Sequence, residues 1–297
     1  MTIKTVKLRS LWIREASIFF MKNPIGIFDS GFGGLTVMKE IAGALPQYDF
    51  VYLGDNARAP YGDRSFRTVY DYTLQCVQWL FEKGCNLVIL ACNTASAKAL
   101  RSIQQKDLLQ HWPDKRVLGV IRPTTELIGK ITTNGHVGIM GTTGTVTSES
   151  YLLEIEKFYP GTAVSQEACP MWVPLIENNE HLTEGADYFI DRHVQHLLKK
   201  DPDIDTILLA CTHYPLMVSK IRKYVPEKIR LVEQGEIVAN SLKDYLKRHP
   251  EMDAACSKQG SRAFFTTGEP SDFNANGTAF YGQQIESQHV DLLVGGH

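Results

Sequence analysis

The sequence predicts an α/β protein made of two pseudo-symmetric α/β domains, each with a parallel-sheet core, and three observations carry that expectation. From Pro24 onward, short apolar runs ending in small or polar residues lead into amphipathic stretches, the pattern of strands alternating with crossover helices. The segment Ile25-Gly-Ile-Phe-Asp-Ser30 is echoed 112 residues later by Val137-Gly-Ile-Met-Gly-Thr142. A second pair, Val88-Ile-Leu-Ala-Cys92-Asn-Thr94 and Ile207-Leu-Leu-Ala-Cys211-Thr-His213, lies at an offset of 119. Two strand-end motifs repeated at nearly one offset point to duplicated units rather than to a chance match of apolar strands.

Residues 1–22 precede the first strand. They carry Lys4, Lys7, Arg9, Arg14 and Lys22 against Glu15, but Arg14 and Glu15 interrupt the apolar part, so no secretory core forms and the segment reads as a dispensable tail or an upstream start. Strands are expected at 25–28, 50–54, 87–90 and 116–120 in the first half, and at 137–140, 206–209 and 229–232 in the second. A further strand is expected at 263–267. Apolar residues at helical spacing place amphipathic helices at 70–83, 95–104, 148–158 and 182–199. In open sheets of this kind ligands sit beyond the carboxyl ends of the strands.

Composition narrows the function. The 31 basic and 33 acidic side chains leave a formal charge of −2, so no basic surplus points to nucleic acid. With 43% hydrophobic and 22% charged residues the chain has a globular composition, and its apolar runs fall short of the roughly 18 residues that cross a membrane. Six cysteines without a Cys-x-x-Cys pair are too sparse for a disulfide scaffold and suit a reducing compartment.

Cys92 and Cys211 each follow an apolar strand and precede helix-start residues, Asn93-Thr94 in one case and Thr212-His213-Tyr-Pro215 in the other. A helix N-terminus lowers a thiol's pKa, so both are expected to be partly thiolate. Two equivalent thiols across a cleft suit racemisation or epimerisation, in which one removes a proton and the other returns one to the opposite face. A cysteine hydrolase would leave the second thiol unexplained, and a redox pair would need Cα atoms within about 7 Å, with little room for substrate. His213, two residues beyond Cys211, reads as an acid/base group.

The loop Asp29-Ser30-Gly31-Phe-Gly33-Gly34-Leu35 is a weak phosphate cradle: it lacks dinucleotide spacing, and Asp29 would repel an anion. An acid there suits an ammonium group or the orientation of a catalytic partner. Pro60-Tyr61-Gly62 reads as a substrate loop or a surface turn.

Taken together, Asp29-Ser-Gly-Phe-Gly-Gly-Leu35, Gly54-Asp-Asn-Ala-Arg-Ala-Pro-Tyr-Gly62, Ala91-Cys-Asn-Thr-Ala-Ser96, Val173-Pro-Leu-Ile-Glu177 and Cys211-Thr-His-Tyr-Pro215 resemble bacterial glutamate racemase, in family order from about Pro24 to the C-terminal region. The resemblance implies a cofactor-independent enzyme, needing neither metal nor pyridoxal, that interconverts L- and D-glutamate for peptidoglycan synthesis in the cytoplasm, as a homodimer. It also implies that the strand at 263–267 returns to the first domain, giving a first domain of 23–116 plus 231–297 and a second of 117–230 with the site in the cleft between them. It implies that Cys92 acts on D-glutamate and Cys211 on L-glutamate, with Asp29 and His213 assisting and Glu177 a further acid of the cleft. The implied substrate-binding positions are Asp29, Ser30, Tyr61, Gly62, Asn93, Thr94, Thr212 and His213, with Thr142 and Thr145 from the Gly141-Thr-Thr-Gly-Thr145 loop. Two departures stand out: Asn56 where Thr is common, and Gln234-Gly235 after Val232-Glu233 where the family often has Asp-Ser-Ala. An aspartate racemase and a non-catalytic binder on the same fold are the competing readings.

Asp191, His193 and His196 cluster on one expected helix, but His193 falls near its apolar stripe and His196 is expected to point elsewhere, so no metal site is assigned. Asn276-Gly-Thr278 forms a sequon that reads as a turn.

Overall fold

The computed structural model describes residues 21–292 and contains ten strands in two sheets, all of whose neighbouring strands run parallel. The strands are β1 (Ile25–Asp29), β2 (Phe50–Gly54), β3 (Leu87–Leu90), β4 (Arg116–Gly119), β5 (His136–Gly141), β6 (Ala163–Ala168), β7 (Thr206–Ala210), β8 (Arg230–Val232), β9 (Arg262–Thr266) and β10 (Ser287–His289). The first sheet has the order β10-β9-β2-β1-β3-β4 and the second β6-β5-β7-β8.

This order gives the internal repeat a physical meaning. The run β2-β1-β3-β4 matches β6-β5-β7-β8 position for position, so the echoed segments form the central pair of each four-stranded run. Every residue of β1, β2, β3 and β7 is buried, which explains why these strands are continuous apolar runs rather than alternating ones. In each sheet the strand order reverses at this central pair, and such a switch point opens a crevice at the carboxyl ends. The echoed motifs end there.

Strand pairing moves the crossings slightly from where the sequence places them. β4 pairs with β3 through Gly119 and β8 pairs with β7 through Val232, so the chain leaves the first sheet after residue 119 and the second after 232. β9 and β10 then extend the first sheet beyond β2. A shared core spans both halves, joining Ile27 and Ile89 to Met140 and Leu209. Most of the segment 1–22, read as a tail, lies outside the described residues.

Three local expectations change. The helix expected at 95–104 is broken into Asn93–Lys98, Leu100–Ser102, a π-turn at Ile103–Asp107 and Leu108–His111. The sequon asparagine sits inside the helix Pro270–Tyr281, where Asn276 Nδ2 donates to the Asp272 carbonyl, rather than in a turn. β6 and β10 have no counterpart in the expected strands. Among the described residues no helix is long and apolar enough to cross a membrane.

Candidate active site

The two cysteines stand at equivalent places, Cys92 two residues past β3 and Cys211 directly past β7, and both are nearly closed off from solvent at 6% and 7% exposure. The adjacent residues Asp29 and Ser30, at the tip of β1, contact the two cysteine loops one each. Ser30 Oγ lies 3.4 Å from Cys92 Sγ, and Thr212 Oγ1 donates to Asp29 Oδ1 at 3.4 Å. The carboxylate of Asp29 also accepts from the Gly31 N–H at 3.0 Å. The β1 tip therefore fixes the two loops against one another.

Close approach is possible because Gly33 has no side chain. A Cβ there would lie 2.3 Å from Thr212 Oγ1 and 2.4 Å from His213 Nδ1. The glycine lets the first half's loop pack on the Cys211 loop of the second half.

Around Cys211 the charge arrangement is specific. Its Sγ lies 3.9 Å from His213 Nδ1, and His213 Nε2 lies 3.1 Å from Glu177 Oε1. Burial opposes the imidazolium, yet Cys211 and Glu177 outweigh it and push His213 up to about 10. Glu177 ends the helix Trp172–Glu177, and the His213 ring packs edge-on against Phe280 with centroids 5.3 Å apart. The helix start expected after Cys211 is a 3₁₀ turn, Tyr214–Met217, with Pro215 in its first turn.

Around Cys92 the expected depression of the thiol pKa is reversed. Burial and the neighbouring Asp29 push Cys92 up to about 12, against hydrogen bonds from Ser30 and from the Ala95 N–H at 3.4 Å. Electrostatic repulsion from Cys211 adds a smaller contribution to the rise. A short helix, Asn93–Lys98, supplies too little positive field to offset desolvation of a buried thiolate. Asp29 is itself raised by burial, although His213 and the N–H groups of Gly31 and Gly34 oppose this.

The remaining positions read from sequence fall into two groups. Thr94, Thr142 and Thr145 come together as a hydroxyl cluster, with Thr94 Oγ1 2.9 Å from Thr142 Oγ1 and 3.4 Å from Thr145 Oγ1. Gly62 joins the same seam, its carbonyl accepting from the Gly144 N–H at 2.7 Å. Tyr61 and Asn93 have their side chains engaged elsewhere. The Tyr61 hydroxyl donates to Asp55, and the Asn93 amide is held by Tyr151 and Gln234.

Gln234, Tyr151, Thr124 and Phe280 were not singled out from sequence as site residues. Gln234 carried a signal, its departure from the family's usual residues; a tyrosine and a phenylalanine in amphipathic helices carried none. His196 corrects another expectation: its Nδ1 lies 3.4 Å from Glu167 Oε1, so it converges with His193 rather than pointing away. Asp191 instead accepts from Gln195.

Comparison with known proteins follows this geometry. The family model described as Asp/Glu/hydantoin racemase matches residues 25–242. A glutamate racemase of Roseobacter denitrificans is 41% identical over 272 residues, covering 88% of this chain and 98% of that protein. Among solved structures, the glutamate racemase isoform RacE1 of Bacillus anthracis superposes with a TM-score of 0.83 at 33% identity, over 92% of this chain and 99% of the other. The glutamate racemase of Francisella tularensis, solved in complex with D-glutamate, has a TM-score of 0.80 at 28% identity over 92% and 98%.

Proposed function

This chain belongs to the Asp/Glu/hydantoin racemase family, and from that premise we propose that it is a cofactor-independent glutamate racemase working through Cys92 and Cys211. The observation that carries the reading is the clamp at the β1 tip, where Ser30 meets Cys92 and Asp29 meets the loop of Cys211. One carbon held between the two loops has a sulfur on each side.

In the direction from L-glutamate, the Cys211 thiolate takes the Cα proton, with the His213 imidazolium beside it as counter-charge. The thiol of Cys92, which burial keeps protonated, gives its proton to the opposite face. The product is D-glutamate carrying the proton from Cys92, which is left as thiolate, while Cys211 holds the proton taken from the substrate. From D-glutamate the roles exchange. The Cα proton is far less acidic than a thiol, so the developing carbanion must be stabilised by fixed donors. Ser30, Thr212 and the Thr94, Thr142 and Thr145 hydroxyls supply them, together with backbone N–H groups at Asn93 and near Gly62. Asp29 faces the substrate ammonium or steers Cys92, and Glu177 sustains the charge of His213.

The same reading makes D-glutamate supply for peptidoglycan the cellular role, in the cytoplasm, where six free cysteines are at home, and by a homodimer. Its test is isotopic. In deuterated water without added cofactor, early D-glutamate formed from L-glutamate carries deuterium at Cα while the remaining L-glutamate keeps its proton. Return of the original proton to the product defeats the two-thiol route, L-aspartate turned over faster than L-glutamate defeats the substrate assignment, and no loss of optical activity with folded, reduced protein favours a binder.

A further inference from the structure

Outside the cysteine cleft, the second sheet carries a cluster that the racemase reading does not use. Glu167 lies on β6, the edge strand, and His193 and His196 lie on the helix Glu184–Lys200 packed against it. Spacing of three residues puts both imidazoles on neighbouring points of one helix face. His193 Nδ1 lies 2.8 Å and His196 Nδ1 3.4 Å from the same oxygen, Oε1 of Glu167. One ligand atom from each residue falls within 4.8 Å of the others.

We propose that Glu167, His193 and His196 form a binding site for a late first-row divalent cation, zinc above all. Ligands at about 2.0–2.1 Å around a tetrahedral ion stand about 3.3 Å apart, which is the His196 separation and a small opening of the His193 one. The 3.4 Å contact of His196 with Glu167 has the spacing of two ligands of one ion. Two imidazoles and a carboxylate form a borderline donor set that favours zinc over calcium or magnesium, and they leave a fourth position for water. Lys200 does not compete for the coordinating oxygen. Its Nζ donates to Oε2 at 2.8 Å, orienting the carboxylate as an outer partner orients a metal ligand. His196 is half-exposed, at 47%, whereas Glu167 and His193 are buried, so the ion enters from solvent onto a fixed pair. Binding joins the edge strand to the helix and stabilises the fold by mass action. The proposal is independent of the racemase chemistry.

The experiment must separate this site from the thiols, which also attract zinc. Chelator-treated full-length protein is titrated with zinc chloride by calorimetry, and with cobalt chloride by absorbance, where thiolate ligation adds an intense near-ultraviolet band. Wild type should bind one equivalent without that band, and Cys211→Ala should bind it equally well. His196→Gln and Glu167→Gln should each weaken binding more than about tenfold. His196 is exposed enough for its variant to fold, so it decides the matter alone if Glu167→Gln does not. No stoichiometric binding, unchanged affinity in His196→Gln, or binding lost with Cys211 overturns the site.

Discussion

Asn93 Nδ2 donates to Gln234 Oε1 at 2.6 Å, joining the residue after Cys92 to the segment where the chain leaves the second sheet. The ring closes through Tyr151, which donates to Asn93 Oδ1 at 2.6 Å and accepts from Gln234 Nε2 at 2.8 Å. Gln234 also donates to Thr124 at 3.0 Å. Four buried polar groups from different elements satisfy one another, and the ring sets how Cys92 sits relative to the second half.

Gln234→Ala removes the acceptor of the Asn93 Nδ2 group and the donor to the Tyr151 hydroxyl, while the Tyr151 bond to Asn93 Oδ1 remains. A stability loss of about 1–3 kcal/mol is expected from chemical denaturation, the cost of buried groups left unsatisfied. Turnover should fall more than substrate affinity does, because the displaced element carries Cys92. A wild-type kcat in a variant that is merely less stable would leave the ring a structural role alone.

Gly33→Ala tests the seam directly. Its backbone is helical, with φ −55°, so the substitution is penalised by lack of space and not by strain. The methyl group has to displace Thr212 and His213. Movement of these groups by about an ångström is expected to lower kcat/KM by roughly ten- to a hundredfold. Near-normal kinetics would mean that the two loops separate during turnover anyway.

Asp205 gives a stability prediction remote from the chemistry. It accepts from the Thr133 N–H at 2.6 Å, the Thr132 and Thr133 hydroxyls at 2.7 Å each, and the Asn134 N–H at 3.0 Å. Burial opposes its charge, but these donors hold the carboxyl well below the ordinary value of 3.8. A depressed folded pKa stabilises above that value, and the benefit is lost as pH falls beneath it. Asp205→Asn should therefore be less stable than wild type at pH 7, and the gap should narrow as urea melts are taken below about pH 4. A gap independent of pH would assign the loss to hydrogen-bond geometry instead.

His213 works with the opposite sign. Its folded pKa of about 10 lies above the ordinary 6.5, so its contribution is complete below 6.5 and disappears as pH rises towards 10. Denaturation at pH 6, 8 and 10 should show His213→Gln losing most against wild type at pH 6. Equal losses at all three values would mean that the imidazole is neutral in the folded state.

What the sequence made legible depended on how local the signal is. The central strands and the cysteine motifs are contiguous, apolar up to the strand end and polar beyond it, so their period and position reveal them. β6 reads Ala-Val-Ser-Gln-Glu-Ala and β10 Ser-Gln-His, edge strands held by pairing with a neighbour rather than by apolar burial, and no pattern marks them. The raised Cys92 pKa is not legible in sequence, because helix starts are visible there whereas desolvation belongs to the assembled cleft. The Asn93, Tyr151 and Gln234 ring spans up to 141 residues, and its members look like ordinary polar residues until the halves close.

Glu177→Gln isolates the electrostatic support of Cys211. The amide keeps a group 3.1 Å from His213 Nε2 but removes the negative charge that helps raise the imidazole. His213 should then deprotonate at lower pH, and the alkaline limb of the kcat/KM profile should move to lower pH. The loss at pH 8 should be roughly tenfold, as for a group acting through an acid/base partner. Enantiomers have equal free energy, so kcat/KM must fall by one factor in both directions; kcat and KM are free to change unequally. A profile whose alkaline limb stays in place, with only its height reduced, would mean that Glu177 positions the loop and does not tune His213.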